Sequence, residues 1–408
     1  MIIYLQIPFI AVVSLFTVYL FMLTAFAFLY RSDFIDLEKK RNYFAVVVPA
    51  HNEELVIEQT VRNLFNIDYP VELFDVIVVA DNCDDKTAVI SARMGALVLE
   101  RINKKFKGKG YALKWCFDLL IKSSRKYDAF LVIDADTIVS ENILQILNSY
   151  VNKGSEAIQC SDLVKPQQNS WSSEITRVGL MLYNYVKPLG KKVINCSAGL
   201  RGNGMCFSSN TLRKHPWRAF SQTEDLEYGI NLLMNGTQTI FAPEAQVKAI
   251  MPANSKNAES QRARWEIGRF PLIFKYGGRL FSAALTKRSL ALFDAFLDLI
   301  SPAFVNLFSF TIMMIFANAV LFALNLSDAG IFLVLWCILL LMQIYHVIGG
   351  LYIAGADKDA YRALFHVPRY AVWKLVLYLK LAVKGHTKLW VRTARETDSD
   401  TIFHKVAK

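Results

Sequence analysis

Asp134-Ala135-Asp136 closes an apolar run, Ala129 to Ile133, and so sets two carboxylates at i and i+2 on one side of an extended chain. Paired hard oxygens there suit Mg²⁺ or Mn²⁺ held jointly with substrate phosphates, because Mg²⁺ is usually bound by one or two carboxylates plus phosphate oxygens. Further along, Gln261-Arg262-Ala263-Arg264-Trp265 gathers an amide, a guanidinium and an indole. If Ala258 to Arg269 is helical, Gln261, Arg264, Trp265 and Gly268 share one face. A planar cation for phosphate oxygens and a flat ring for stacking on a sugar then point the same way. Thr223-Glu224-Asp225 opens an expected helix that closes near Gly236, with Thr223 as its N-cap. Asp225 would be kept ionised by that helix terminus and placed to take a proton from an attacking hydroxyl. Lys107-Gly108-Lys109-Gly110 precedes a helix expected from Tyr111, where glycines let the backbone approach an anion and a lysine adds charge to the helix dipole. Each stretch also has an ordinary structural reading: a strand-end turn, an amphipathic helix end, a capped helix start and a basic surface loop.

The segment that must position these groups runs from Tyr43 to about Lys275. Strands are expected at Phe44 to Val48, Asp75 to Val79, Ala96 to Leu99 and Ala129 to Ile133, separated by helical stretches such as Glu54 to Asn66 and Tyr111 to Lys122. This alternation implies an α/β fold with a mostly parallel sheet, in which ligands bind at the carboxyl ends of the strands. Glu53, Asp81, Asp134 and Asp136 all fall at such ends.

On either side the chain turns apolar, and of its 408 residues 54% are hydrophobic. Residues 1–30 read as a membrane anchor, with Arg31, Lys39, Lys40 and Arg41 just after it. The basic n-region of a cleavable signal is missing, and the charge bias puts the following domain in the cytoplasm. Residues 302–356 hold two more runs long enough to cross, about Pro302 to Leu324 and Gly330 to Ala354. The loop between them lacks Lys and Arg, which agrees with that orientation. Residues 281–300 are expected at the interface, with Asp294 and Asp298 facing water or a pore. Residues 365–408 are expected to form an interfacial helix, His366 to Lys384, and a cytoplasmic tail. The net charge of +11 is concentrated beside apolar runs, which suits anionic headgroups and a diphosphate substrate rather than nucleic acid. Six cysteines without metal-ligand spacing read as buried thiols in a reducing compartment.

Pro49-Ala50-His51-Asn52-Glu53, Asp81-Asn82-Cys83-Asp84-Asp85, the Lys109 loop, Asp134-Ala135-Asp136, Thr223-Glu224-Asp225 and the Gln261 to Trp265 stretch occur in succession between one membrane run and a later pair. That order resembles the membrane-bound family 2 glycosyltransferases of the GT-A fold, the group of cellulose, hyaluronan, chitin and poly-N-acetylglucosamine synthases. The resemblance implies a Rossmann-like GT-A domain in the cytoplasm, carried by transmembrane and interfacial helices of a bacterial inner membrane. It implies a nucleotide-sugar donor, expected to be UDP-linked, bound through Ala50, Glu53, Asp81, Lys109, Asp134, Asp136 and Arg264. Asp81 would contact the base, Asp134 and Asp136 the nucleotide and its metal, and Lys109 the diphosphate. Asp225 would be the catalytic base. Glu224, Gln261, Arg264 and Trp265 would line the junction of acceptor and diphosphate. The tail, with Trp390, Thr393 and Arg395, is similar to a segment that closes over the donor in related synthases, but Val391-Arg392 replaces a single glycine.

The expected reaction is metal-dependent, inverting transfer to a growing extracellular or capsular polysaccharide, with an exporter or accessory subunit supplying any missing translocation path. Single addition to a polyprenyl-linked glycan is the enzymatic alternative. A nucleotide- or glycan-binding regulator of a partner synthase is the non-enzymatic one. The loop from Cys196 to Cys206, with Gly202-Asn203-Gly204, is expected to shape donor selection.

Overall fold

The computed structural model describes residues 2–32, 35, 40–165, 171–249, 255–325 and 328–374, without the side chains of 2, 3, 172 and 255–267. The chain divides into two compact units, one built from residues 1–30, 171–195 and 296–388, the other from 31–170, 196–295 and 389–408.

Among the described residues, the second unit is an α/β fold around eight strands: β1 (Phe44–Ala50), β2 (Phe74–Asp81), β3 (Leu97–Arg101), β4 (Ala129–Val132), β5 (Thr137–Val139), β6 (Ala157–Val164), β7 (Met205–Ser208) and β8 (Thr239–Ala249). Their order is β3-β2-β1-β4-β7-β6-β8-β5. Strands β3, β2, β1 and β4 run parallel in register, which is the doubly wound half of the sheet. Strand β7 is antiparallel to both β4 and β6, and β6 then pairs in parallel with β8. Successive residues of a strand face opposite sides. Thus Val46, Val48 and Leu131 pack with the Ile57–Phe65 and Ile143–Asn152 helices, while Ala45, Val47, Phe130 and Val132 pack with the Lys109–Lys122 helix and Trp217. Burial on both faces explains why β1 reads as an uninterrupted apolar run. The four strands expected from the sequence are present within a few residues, and β5 to β8 complete the sheet.

Two details of this unit depart from expectation. Thr223 makes no side-chain cap to the Glu224–Met234 helix; its hydroxyl instead donates to the carbonyl of Gly268 at 3.1 Å. The cysteines are free, and Cys116, Cys160, Cys196 and Cys206 are buried, but Cys83 is only half-buried and Cys337, in an apolar helix of the other unit, is exposed.

Among the described residues, the first unit holds three helices long and apolar enough to cross a membrane, Tyr4–Ala27, Phe304–Ala323 and Asp328–Ile353. Several of their polar side chains find one another. Gln6 exchanges hydrogen bonds with Asn318 and accepts from Trp336 Nε1. Gln343 donates to Thr17 and Thr311. An unsatisfied polar group in hydrocarbon is costly, so pairing of this kind links helices.

Residues 171–195 fall inside the stretch expected to be soluble, yet they form helical turns Trp171–Met181, Leu182–Val186 and Lys187–Val193 that belong to this apolar unit. The reason is chemical: Lys187 and Lys191 each place an ammonium 2.5 Å from the carboxylate of Asp298. Asp298 is therefore not turned to water and is 8% exposed; Asp294 is also buried, at 3%.

Candidate active site

Gly202 lies at the centre of the candidate site. Its φ of +86° is open to glycine and strained for other residues. A Cβ there would stand 3.2 Å from Asp225 Oδ2 and 3.7 Å from Lys109 Nζ. Lys109 Nζ in turn lies 2.7 Å from the Gly202 carbonyl and 2.5 Å from Asp134 Oδ1. Three groups from separate elements thus converge: Lys109 from the first turn of its helix, Asp134 from just past β4, and Asp225 from the first turn of the Glu224–Met234 helix.

Two side chains hold this loop. Gln159 on β6 donates to the carbonyl of Asn203 at 2.7 Å and accepts from the Arg201 amide at 2.9 Å. Asn203 accepts from the main-chain N–H of Asp134 at 3.1 Å, and its amide donates to Thr137 Oγ1 and Asp162 Oδ1. The turn carrying Asp134 and Asp136 is thereby fixed from the far strand. Gly110 lets the lysine loop meet the segment before Thr223, since a Cβ there would lie 2.4 Å from the Ala219 carbonyl. Glu224 adds negative potential at Lys109.

Electrostatics follow from this crowding. Burial works against the Lys109 ammonium, but Asp134 and Glu224 outweigh it and hold its pKa above the ordinary lysine range. Burial raises the pKa of Asp225, opposed by the main chain at Leu226 and by Lys109 and Arg201. Asp162, on β6, is pushed well above the ordinary carboxylate range by burial and by Asp134.

Asp81 closes β2 and is 5% exposed. Its carboxylate is ion-paired with Arg101 and accepts from Asn82 Nδ2 at 2.9 Å, while its carbonyl meets His51 Nδ1 at 2.7 Å. Ala50 ends β1 beside Cys83, whose thiol faces the Ala50 carbonyl. Glu53 lies in the turn before the Ile57–Phe65 helix: its N–H donates to Thr87 Oγ1 at 2.7 Å and its carbonyl accepts from Val56 and Ile57. Gln261, Arg264 and Trp265 lie in the Ser255–Thr286 helix, with side chains outside the described residues. Trp390, Thr393 and Arg395 are also outside them.

Sequence reasoning had no means of finding Gln159, Asp162 or Arg101, because each matters through a partner distant in the chain. Asn203 had a signal in its flanking glycines, which mark a loop in positive φ. Among the described residues, no three His, Cys, Asp or Glu side chains gather as a ready cation cage. The hard oxygens of Asp134 and Asp136 fit a divalent ion that completes its shell with phosphates.

Residues 41–268 match the model of a family described as glycosyltransferase like family 2, more than half of the chain. The chain belongs to that family. A Bacillus subtilis (strain 168) protein named probable glycosyltransferase YdaM is 24% identical over 306 residues, covering 72% of this chain and 70% of that protein. Beta-monoglucosyldiacylglycerol synthase of Trichormus variabilis is 25% identical over 252 residues, 59% of this chain. The match spans about half of that synthase, 52%. Among solved structures, mannosyltransferase PcManGT from Pyrobaculum calidifontis, in complex with GDP-Man and Mn²⁺, superposes with a TM-score of 0.53 at 16% identity. It covers 85% of this chain and 97% of that one. The α/β unit is thus a Rossmann-like GT-A fold with a mixed, mostly parallel sheet, and the chain is a family 2 glycosyltransferase.

Proposed function

We propose that this protein is an inverting, metal-dependent glycosyltransferase that moves a sugar from a nucleotide-sugar donor, UDP-linked, to a hydroxyl presented at a membrane surface. The observation that carries the proposal is the convergence of Lys109, Asp134 and Asp225 on Gly202. Displacement at an anomeric carbon needs a base for the nucleophile and positive charge for the departing diphosphate, and these residues provide both around one loop.

In this reading the acceptor oxygen attacks the anomeric carbon and its proton passes to the Asp225 carboxylate. The bond to the diphosphate breaks with its electron pair on the leaving oxygen, which Lys109 and Arg264 oppose with charge. A positioned base contributes about 10²- to 10⁴-fold, and preorganised positive charge is usually the larger effect. Asp134 and Asp136 would hold Mg²⁺ or Mn²⁺, which supplies further charge at the diphosphate. Asp81, buried and oriented by Arg101, would meet the base of the nucleotide, while Ala50 and Glu53 border the same end of the sheet. Glu224, Gln261 and Trp265 would border the acceptor. A single base implies that an α-linked donor gives a β-linked product.

A growing extracellular or capsular glycan is the acceptor that the sequence pattern suggests. The catalytic unit would face the cytoplasm of an inner membrane, anchored by the three apolar helices. A membrane lipid is the second acceptor class, favoured by the name of the Trichormus synthase. The test is nucleotide release by detergent-purified protein from a panel of nucleotide sugars with Mg²⁺ or Mn²⁺, beside Asp225→Asn, with glycan and diacylglycerol acceptors. Release from one donor, abolished in the variant, supports transfer. Retained anomeric configuration in the product, seen by NMR, removes the single-displacement mechanism.

A further inference from the structure

Glu227 lies two residues past Asp225 and is 5% exposed. A glutamate in the first turn of a helix is ordinarily explained by the helix dipole, which needs no partner. Here the carboxylate reaches out of the helix to four groups. One oxygen accepts from the main-chain N–H groups of Phe220 and Ser221, at 3.3 and 3.2 Å. The other accepts from Lys275 Nζ at 2.6 Å and from the Tyr276 hydroxyl at 3.4 Å. One carboxylate therefore joins the loop that enters the Asp225 turn to the Ser255–Thr286 helix, which carries Arg264.

A second tie lies between the same two elements. Thr223 Oγ1 donates to the Gly268 carbonyl, and a Cβ at Gly268 would stand 2.7 Å from Thr223 Cγ2, so the backbones are in close approach. Arg264 precedes Gly268 by one helical turn, and Lys275 follows it by two. The helix is pinned on the C-terminal side of Arg264 at two heights, both times to residues within four positions of Asp225. Burial pushes the Glu227 carboxyl up, but hydrogen bonds from Lys275 and Ser221 outweigh it and keep the group below the ordinary glutamate range. It is thus an anion throughout the neutral range.

We propose that Glu227 is a positioning residue for glycosyl transfer: with Lys275 it clips the Arg264-bearing helix to the Asp225 turn and sets the separation of the two. This rests on the glycosyltransferase reading above. Because Lys275 is half exposed, its pair with Glu227 is worth little to stability, and its loss should register in the chemistry instead. A small misplacement of catalytic groups costs up to about 10²-fold in rate.

The test uses full-length protein in detergent with Glu227→Gln, Lys275→Met and Lys275→Arg, read by donor KM, kcat and amide hydrogen exchange over residues 219–224 and 265–272. Expected are a fall in kcat of about 10- to 100-fold for Glu227→Gln and Lys275→Met, and a donor KM within about 2-fold of wild type. Faster exchange in both segments and recovery of kcat in Lys275→Arg complete the pattern. Unchanged kcat or unchanged exchange in Lys275→Met overturns the proposal, as does a rise in donor KM that accounts for the loss. Faster exchange in the variants of a wild type that transfers no sugar would retain the clip and overturn the glycosyltransferase reading.

Discussion

Lys109 Nζ lies 2.5 Å from Asp134 Oδ1 and 2.7 Å from the Gly202 carbonyl, so one ammonium joins the strand-end carboxylate to the loop beneath Asp225. The pair is half-buried, with side-chain exposures of 22% and 38%. Lys109 is therefore both a candidate diphosphate contact and the counter-charge that holds the site together before substrate arrives.

Replacing Lys109 by Met should weaken donor binding by about 10- to 100-fold, the range for a hydrogen bond to a charged group. Titration calorimetry with UDP and Mn²⁺ would measure it. A lysine whose folded-state pKa is raised keeps its stabilising charge below the ordinary lysine range and loses it only as pH climbs through the raised value. Donor affinity should accordingly show no step from Lys109 between pH 6 and about 9.

Asp225→Asn should cut turnover by about 10²- to 10⁴-fold while donor affinity stays near wild type. It should also raise the thermal midpoint. Burial raises the Asp225 pKa, so the fold favours its protonated form. The associated stability is present below the ordinary aspartate range and is lost as pH rises through the raised value. At neutral pH the ionised carboxylate is a cost that the amide removes. The same shift puts the acidic limb of the wild-type kcat profile above the ordinary aspartate range. Calorimetry and a pH–rate series check the two halves separately.

Gly202→Ala tests the loop. A side chain at φ +86° costs about 1–3 kcal/mol, and the added carbon meets Asp225 and Lys109. Both stability and kcat should fall. Gly154→Ala is the control: it shares a positive φ of +85° but has open space around it. It should lose stability by a similar amount and retain full turnover, measured by denaturant unfolding and nucleotide release.

The legible and illegible parts of this fold differ in how far apart the interacting residues stand. Strands β1, β2 and β4 are buried on both faces, and each writes its burial as a continuous apolar run that needs no partner to be recognised. Strand β5 has three residues and β7 four, too short for a periodicity to build. Strand β6 changes register at Cys160 and Ser161, which breaks the pattern that would mark it. Within the site, Asp134 and Asp225 announce themselves through local spacing. Asp81 does too, but its partner Arg101 is 20 residues away and has no local signature. The lysines at 187 and 191 argue locally for a soluble helix, and Asp298, more than a hundred residues on, reverses that reading.

That reversal can be tested in the apolar unit. Lys187 and Lys191 are 5% and 1% exposed at the side chain, and both contact Asp298. Removing one partner of a buried ion pair costs about 3–5 kcal/mol, because the remaining charge loses its compensation, whereas replacing all members with apolar residues of similar size is often neutral. Asp298→Leu alone should therefore lower the thermal midpoint in detergent sharply. The triple variant Lys187→Met, Lys191→Met and Asp298→Leu should recover most of the loss, since three apolar side chains suit this unit better than two buried ammonium groups. A single variant as stable as wild type would mean that other groups compensate the lysines and that Asp298 is not what draws residues 171–195 into the apolar unit.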